Sequence, residues 1–357
     1  MFNLFDSKIK NSWGLHITDR HLRAVEIAGV PNNWQIQRIG KVNLPPGISE
    51  KGLIKNPQIL KEAISQLCSK AYPSPIKSPH VIVNLAEEHA FSRIIQTPPL
   101  SKEEMDEAIQ WEAESNIPLP IDKVYLAWEV LGQKEDKKDL VLFTATTKSI
   151  IDELVKSLTS AGLRPIIIEP ESAALVRSLA QTGSFPESQY PLLILNLREH
   201  YTHIITFDLK VVALSTTSER ASVSFDTAIE NTFKIKPEDA EKFRQKIGWN
   251  EKEELGRKMI EATVLPFNAL KKDVSMAISF YRNKSGKDVK EIVLTGEKCS
   301  KWLGFDQYFS KEMNLPVKWQ KDWNPNIWPT NYPFATTGKE EYNTVIGLAL
   351  RKFEGEE

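Results

Sequence analysis

Trp13-Gly14-Leu15-His16-Ile17-Thr18-Asp19-Arg20-His21-Leu22-Arg23-Ala24-Val25-Glu26-Ile27 is the stretch on which the reading of the fold turns. Leu15 and Ile17 on one side, and Leu22, Ala24, Val25 and Ile27 on the other, flank a short polar turn, the pattern of the first two strands of a sheet. The turn has the outline of a phosphate-binding hairpin, yet His16, Thr18, Asp19, Arg20 and His21 are poorly suited to holding a phosphate. The pattern returns more weakly at 192–198 and 204–211, where Leu192 to Leu195, Asn196, Leu197 and Arg198 lead through a polar turn into Ile204 and Ile205. A strand, a polar turn and a second strand opening each half is what a duplicated fold leaves behind.

Along the rest of the chain, short apolar runs at Val81–Val83, Leu140–Phe143, Ile166–Ile168 and Ile292–Leu294 alternate with helical patterns at Pro57–Ser69, Ser149–Ala161 and Leu265–Tyr281. Buried strands covered by helices give this alternation, so the fold class is α/β. The 357 residues exceed what a single core usually holds, which predicts two lobes. Their boundary falls at Gly183–Pro191, where Gly, Ser, Pro, Glu and Gln interrupt the periodicity. Ser101-Lys102-Glu103-Glu104 is a capping box, so a helix starts there. Met105, Ala108, Ile109 and Ala113 make its inner face, and Ile117-Pro118 stops it. Gln133–Asp139 reads as a solvated hairpin tip.

Lys and Arg total 46 and Asp and Glu 47, a formal net charge of -1, so no global attraction to nucleic acid or anionic lipid is implied. Any interaction surface is local. Cys68 and Cys299 form no CxxC, which fits a reducing compartment without a disulfide framework or zinc. Met1–Lys8 is too short and polar for a signal peptide, and no apolar run reaches the ~18 residues of a membrane span. A cytoplasmic chain is expected. Gly286-Lys287 lacks the spacing of a phosphate loop, and neither GxSxG nor HExxH occurs. His200 and His203, three apart in a strand-like region, would point to opposite faces and make no metal pair. Trp302, Trp319, Trp323 and Trp328 read as packing, or alternatively as a partner patch on the second lobe.

Several segments in order resemble the PilM family, the actin-like cytoplasmic proteins of type IV pilus assembly, related in fold to the division protein FtsA. They are Trp13–Ile27, Leu44–Ile54 (Leu-Pro-Pro-Gly-Ile-Ser-Glu-Lys-Gly-Leu-Ile), and Arg93-Ile94 with Pro98-Pro99. Then come Glu107–Pro118 with its Trp111-Glu112-Ala113-Glu114, Ala161-Gly162-Leu163-Arg164-Pro165 with Glu171–Leu175, Ile292–Glu297, and Ile346–Arg351. The resemblance implies an actin-like, ribonuclease H-like duplicated two-lobed fold with an FtsA-type inserted subdomain. Its parts would be 1–80 and 164–187 for the first lobe (1A), with 343–353 packing near it, and 81–163 for the inserted subdomain (1C). The second lobe (2A) would take 188–225 and 290–342, and the helical subdomain (2B) 226–289.

The resemblance also implies a role rather than a reaction: a scaffold that binds the N-terminal tail of PilN, a single-pass membrane protein. The tail would lie in a groove between the first lobe and the inserted subdomain, holding the chain at the inner membrane and linking the platform to the assembly motors. An extended tail needs apolar pockets and a few hydrogen-bonding groups, and Arg93, Trp111, Glu114, Ile117 and Pro118 are the candidates. Trp111 and Ile117 also read as subdomain core, and Glu114 as a solvated helix residue.

Nucleotide-binding relatives carry an Asp, glycines and small hydroxyl residues on both hairpins. Here His16 stands for the Asp and Thr18 for the Gly; in the second hairpin Asn196 and Arg198 stand in those places. Ser222-Val223-Ser224 replaces a later Gly-Gly, and of the adenosine-side pair only Gly296 is kept, with Glu297 beside it. Asp19 and Glu297 would set like charge against a triphosphate, costing about 4 kcal/mol for a contact at ~4 Å and an effective dielectric of ~20. Arg20, Arg23 or Arg198 would offset part of that without replacing a magnesium ligand. Glu241 and Arg244 match the helix that touches purine and ribose in relatives, or else form a solvated ion-paired face. Glu169 and Glu171 read as a water-positioning acid or as a helix cap. The expectation is a chain with a degenerate site for magnesium-ATP and no catalysis. The alternatives are an actin-like ATPase with unconventional Arg contacts, and the cytoplasmic part of a type II secretion component of GspL type.

Overall fold

The computed structural model describes residues 2–3, 11–117, 119–133, 137–185, 190–208, 211–296, 302–328 and 338–353. Two compact units emerge: Met1–Thr182 with Asn324–Pro333 and Tyr342–Glu357, and Gly183–Trp323 with Phe334–Glu341. The first begins with β1 (Phe2–Asn3), β2 (Trp13–Ile17), β3 (His21–Val30), β4 (Asn33–Asn43), β5 (Ser49–Glu50), β6 (Leu53–Ile54), α1 (Pro57–Ser69) and β7 (His80–Leu85). It continues with β8 (Phe91–Thr97), α2 (Lys102–Asn116), β9 (Val124–Gln133), β10 (Asp139–Thr147), α3 (Lys148–Ser160), β11 (Arg164–Pro170) and α4 (Glu171–Gln181). The second contains β12 (Leu192–Leu197), β13 (Thr202–Asp208), β14 (Val211–Ser218), α5 (Ser222–Phe233), α6 (Pro237–Ile247), α7 (Glu254–Ser285), β15 (Glu291–Gly296), α8 (Phe305–Met313) and β16 (Val317–Trp319). The chain then returns to the first unit with α9 (Asn343–Leu350).

The strand order repeats. The larger sheet runs β1-β11-β7-β2-β3-β4 and the other β14-β13-β12-β15-β16. Each holds an antiparallel meander (β2-β3-β4, β12-β13-β14) whose first strand pairs parallel with a later strand, β7 or β15. The duplication expected from the two hairpins is therefore a duplication of topology. In the first unit Trp13, Leu15, Val81 and Val83 of the sheet pack against Leu60, Ile64 and Leu67 of α1 and Ile151, Leu154 and Leu158 of α3. α1 starts where its sequence dictates: the Asn56 side chain accepts from Ile59 N at 3.2 Å, and Pro57 fills the first turn. On the opposite face Ile82, Ile166, Ala174 and Leu348 form a second core. There α9 lies so close that a Cβ on Gly347 would fall 1.7 Å from the Ala174 carbonyl, and one on Gly14 2.5 Å from that of Val345.

β8, β10 and β9 form a separate three-stranded sheet, with α2 on one face. β7 and α3, which the sequence reading assigns to the inserted subdomain at 81–163, instead join the six-stranded sheet and its core. The reason is parallel pairing: β7 is bonded between β2 and β11, partners too distant in sequence for local patterns to reveal. α2 carries the expected capping box, with Glu104 N donating to Ser101 Oγ at 3.3 Å and Ser101 N to Glu104 Oε2 at 2.8 Å. α7 begins well before the expected Leu265 and runs 32 residues with Pro266 inside it. His200 sits in the turn before β13 rather than sharing a strand with His203. Pro118, the hairpin tip at 134–136, and Glu297 and Cys299 lie outside the described residues. No helix among the described residues is long and apolar enough to cross a membrane.

Candidate functional site

The two hairpin turns close identically. Thr18 N donates to His21 O at 3.0 Å, and Arg198 N to Tyr201 O at 3.1 Å. The side chains around them go to different places. In the first hairpin His16 is buried, its Nε2 3.0 Å from Glu171 Oε1, and Asn84 Nδ2 donates to the same oxygen at 3.0 Å. Asn84 also brackets the end of β2, its Oδ1 accepting from Ile17 N at 2.8 Å and its Nδ2 donating to Ile17 O at 3.0 Å. Beside this group Glu87 accepts from Ser172 N at 3.0 Å and Ser172 Oγ at 2.8 Å, satisfying a free N–H of the first turn of α4. The Thr18 hydroxyl stays within its own turn, accepting from His21 N at 3.0 Å.

Asp19 turns away from the hairpin. Its carboxylate accepts from Ser49 Oγ at 2.9 Å, Lys51 N at 2.8 Å and Gly52 N at 3.2 Å, bracing the 49–52 turn. Arg20 is exposed and binds through its backbone, its carbonyl accepting from Leu44 N.

In the second unit the Arg198 guanidinium lies 5.0 Å from the centre of the Tyr201 ring. Ser222 N and Val223 N, at the start of α5, donate to the carbonyls of Arg198 and Glu199. Gly296 is explained by packing: its φ is +124°, and a Cβ there would fall 2.0 Å from the Leu197 carbonyl. On α6, Glu241 accepts from Gln245 at 2.8 Å. Arg244 is no surface residue. It is 2% exposed, bonds Asp226 through Nε at 2.7 Å and Nη2 at 3.3 Å, and stacks 4.3 Å over Trp302. Trp302 in turn belongs to an aromatic cluster with Phe225, Trp249 and Phe305.

The groove candidates fall on one side of the three-stranded sheet. Arg93 bonds Asn116 and lies 3.3 Å from Glu112, both on α2. Ile117 packs with Phe91, Leu126 and Trp128 beneath α2. Trp111 is 71% exposed on the outer face of α2, and Glu114 is exposed too. Tyr125 and Ala127, on the alternate positions of β9, pack instead against the core of the main lobe. The register sets Thr144 opposite Ala127 and Ser92, and Leu142 opposite Ile94, on that same face. Arg93, Trp111, Glu114 and Ile117 therefore lie on the α2 side and not toward the lobe, Arg93 because strand alternation sets it opposite to Ile94 and the other three because they belong to α2 and its end. A narrow recess lined by Ile17, Leu53, Asn84, Ala86, Ile150 and Leu154 opens on the lobe itself.

A family model described as Type IV pilus assembly protein PilM matches residues 14–353. The chain belongs to the PilM family. A solved structure described as the PilM-PilN type IV pilus biogenesis complex is similar with a TM-score of 0.77 at 21% identity, covering 96% of this chain and 99% of that one. MreB5 of Spiroplasma citri bound to AMPPNP matches with a TM-score of 0.53 at 12% identity over 97% of this chain and 96% of that one. EutJ from Carboxydothermus hydrogenoformans gives 0.51 at 10% identity over 95% and 88%. At such identities these likenesses establish the fold, which is actin-like.

In this PilM-family chain, what sequence reasoning missed is the meeting of His16 and Glu171 with Asn84, and of Glu87 with Ser172 beside them. Glu171 was visible as an acid at a helix start. Its actual partners, His16 and Asn84, are 155 and 87 residues away, and no local pattern announces them. Glu169 has a structural task as well, binding Arg177 through both oxygens at 2.6 and 2.8 Å.

Proposed function

We propose that this chain serves type IV pilus assembly as a scaffold, holding the N-terminal tail of a PilN-like single-pass membrane protein and turning over no nucleotide. The tail lies between the main lobe and the three-stranded subdomain, and through it the chain sits at the inner membrane beside the platform and motor proteins. The observation that carries this reading is where the polar side chains of the two hairpins and α6 end up. His16 is bound to Glu171, Asp19 to the 49–52 turn, and Arg244 to Asp226 and Trp302. A magnesium-triphosphate pair needs carboxylates for the metal and open donors for the phosphates. The residues present do not fit that need.

On the lobe-facing side of the small sheet Tyr125 and Ala127 join it to the lobe, Ile94 and Leu142 supply apolar contacts beside them, and β8 and β9 are its edge strands. An extended tail is recognised by such a combination of edge and pockets. Calorimetric titration with a peptide copied from the cognate PilN-like N-terminus tests the reading. Saturable binding indifferent to magnesium-ATP is expected, abolished by Leu142→Arg and kept by Trp111→Ala, with melting temperatures confirming that both variants fold. No heat of binding under either condition rejects it. A second reading, an actin-like ATPase, draws on the likeness to an AMPPNP-bound MreB. Magnesium-dependent turnover lost in Arg198→Ala would establish that one instead.

A further inference from the structure

The outer face of α2 and the outer face of α7 are each other's chemical complement. On α2, Glu103, Glu107, Trp111 and Glu114 recur at helical spacing and form one exposed stripe. Other acids of this helix are engaged: Glu104 in the capping box, Asp106 with Trp128 Nε1 at 2.6 Å, and Glu112 with Arg93. Glu103, Glu107 and Glu114 have no ion-pair partner among the described residues, and the 71% exposed indole of Trp111 sits among them.

On α7, Leu265, Lys272, Met276, Phe280 and Lys284 follow one another along the exposed side. Leu265 is 79% exposed, and Met276 and Phe280 are about half exposed, at 53% and 52%. Between Glu261 and Asp288 the sole acid on the chain is Asp273, and it turns inward to accept from Ser218 Oγ. The outward charge of this stretch is therefore cationic, lysines with Arg282, whose guanidinium is paired with Asp288. Lys272 has no ion-pair partner among the described residues, and Lys284 lies 6.0 Å over the Phe280 ring.

We infer that these two faces bind one another between copies of the chain, α2 of one copy lying along α7 of the next. The spacings agree: at 1.5 Å rise per residue, Glu103 to Glu114 spans roughly 16 Å and Lys272 to Lys284 roughly 18 Å. With the acids over the lysines, Trp111 falls on Met276 and Phe280, giving an aromatic and thioether centre ringed by opposite charges. The charge pattern selects a second copy, because α7 against α7 would oppose lysine to lysine and α2 against α2 would oppose glutamate to glutamate. Because the two surfaces differ, each contact joins unlike faces, and the assembly closes as a reciprocal pair or extends into a ring or an open string. The inference is independent of tail binding, which uses the opposite side of the small sheet.

Sedimentation velocity of the full chain over a concentration series tests it, with association weakening as salt rises. Glu103→Lys with Glu114→Lys in one variant, and Lys272→Glu with Lys284→Glu in another, should each raise the apparent dissociation constant about a hundredfold. An equimolar mixture of the two should associate again, since each reversed face meets its complement on the other variant. Trp111→Ala should weaken association about tenfold. Peptide binding should be unchanged in every variant, which separates a failure here from a failure of the scaffold reading. A wild-type chain monomeric throughout, reversals that associate like wild type, or a mixture that stays apart would each overturn the inference. So would a monomer whose binding to anionic lipid vesicles is lost in the lysine reversal, since α7 would then serve a membrane.

Discussion

The two hairpins share their turn, yet the side chains at the candidate positions around them dispose of charge differently. In the first unit polar groups meet polar groups: His16, Asn84 and Glu171 form one knot, and Asp19 gathers three donors from the 49–52 turn. In the second, two arginines are laid on aromatic faces, Arg198 over Tyr201 and Arg244 over Trp302. A hydrogen-bond knot fails when one member is removed, because the others stay buried without partners. An aromatic seat is more forgiving, since a ring that loses its cation is still a well-packed apolar group. Arg244 combines both, a paired carboxylate and an aromatic face.

Arg244→Ala should have the largest effect, about 3 kcal/mol in urea unfolding, since it strands Asp226 and opens space beside Trp302. Next comes His16→Ala, at about 2 kcal/mol, because it takes a partner from the buried Glu171 carboxylate. His16→Asp should cost more than His16→Ala without creating magnesium-dependent ATP binding in a calorimeter, as it sets two carboxylates together. Asp19→Ala should cost about 1 kcal/mol and show as faster hydrogen exchange at Lys51 and Gly52, whose N–H groups it accepts from.

The smallest effect lies outside both hairpins. The backbone N–H and then the hydroxyl of Ser101 hold the Glu104 carboxyl below its ordinary 4.5. A depressed carboxyl stabilises the fold fully above its unfolded value and stops doing so as pH falls through the lower folded one. Ser101→Ala, which removes the hydroxyl and leaves the larger backbone contact, should therefore lower stability slightly more at neutral pH than in acid, so that the acid limb of the stability-versus-pH curve becomes shallower.

What the sequence made legible follows from range. α1 occupies Pro57–Ser69 as the periodicity indicated, and the capping box of α2 forms as written, because both are set by residues three or four apart. The repeated hairpin was readable for the same reason. Membership of β7 in the larger sheet was not, since parallel pairing joins distant segments. The groove candidates were chosen from a motif that mixes both faces of the small sheet, and only the register of β8, β9 and β10 separates Arg93 from Ile94. Arg244 looked solvated because its neighbours on α6 are charged. Its seat is built from α5 and from Trp302, neither of which α6 can announce.

The closeness of α9 to β2 and α4, permitted by Gly14 and Gly347, has a consequence for biosynthesis. Ile346, Leu348 and Ala349 are wholly buried, so the half of the molecule that leaves the ribosome first lacks part of its interior until residues 343–350 have been translated. The later half, lacking nothing from beyond residue 341, is free to mature ahead of the earlier one. The order of synthesis and the order of completion are thereby reversed, and in a nascent chain Ile82 and Ile166 lack Leu348 over them until α9 has been made.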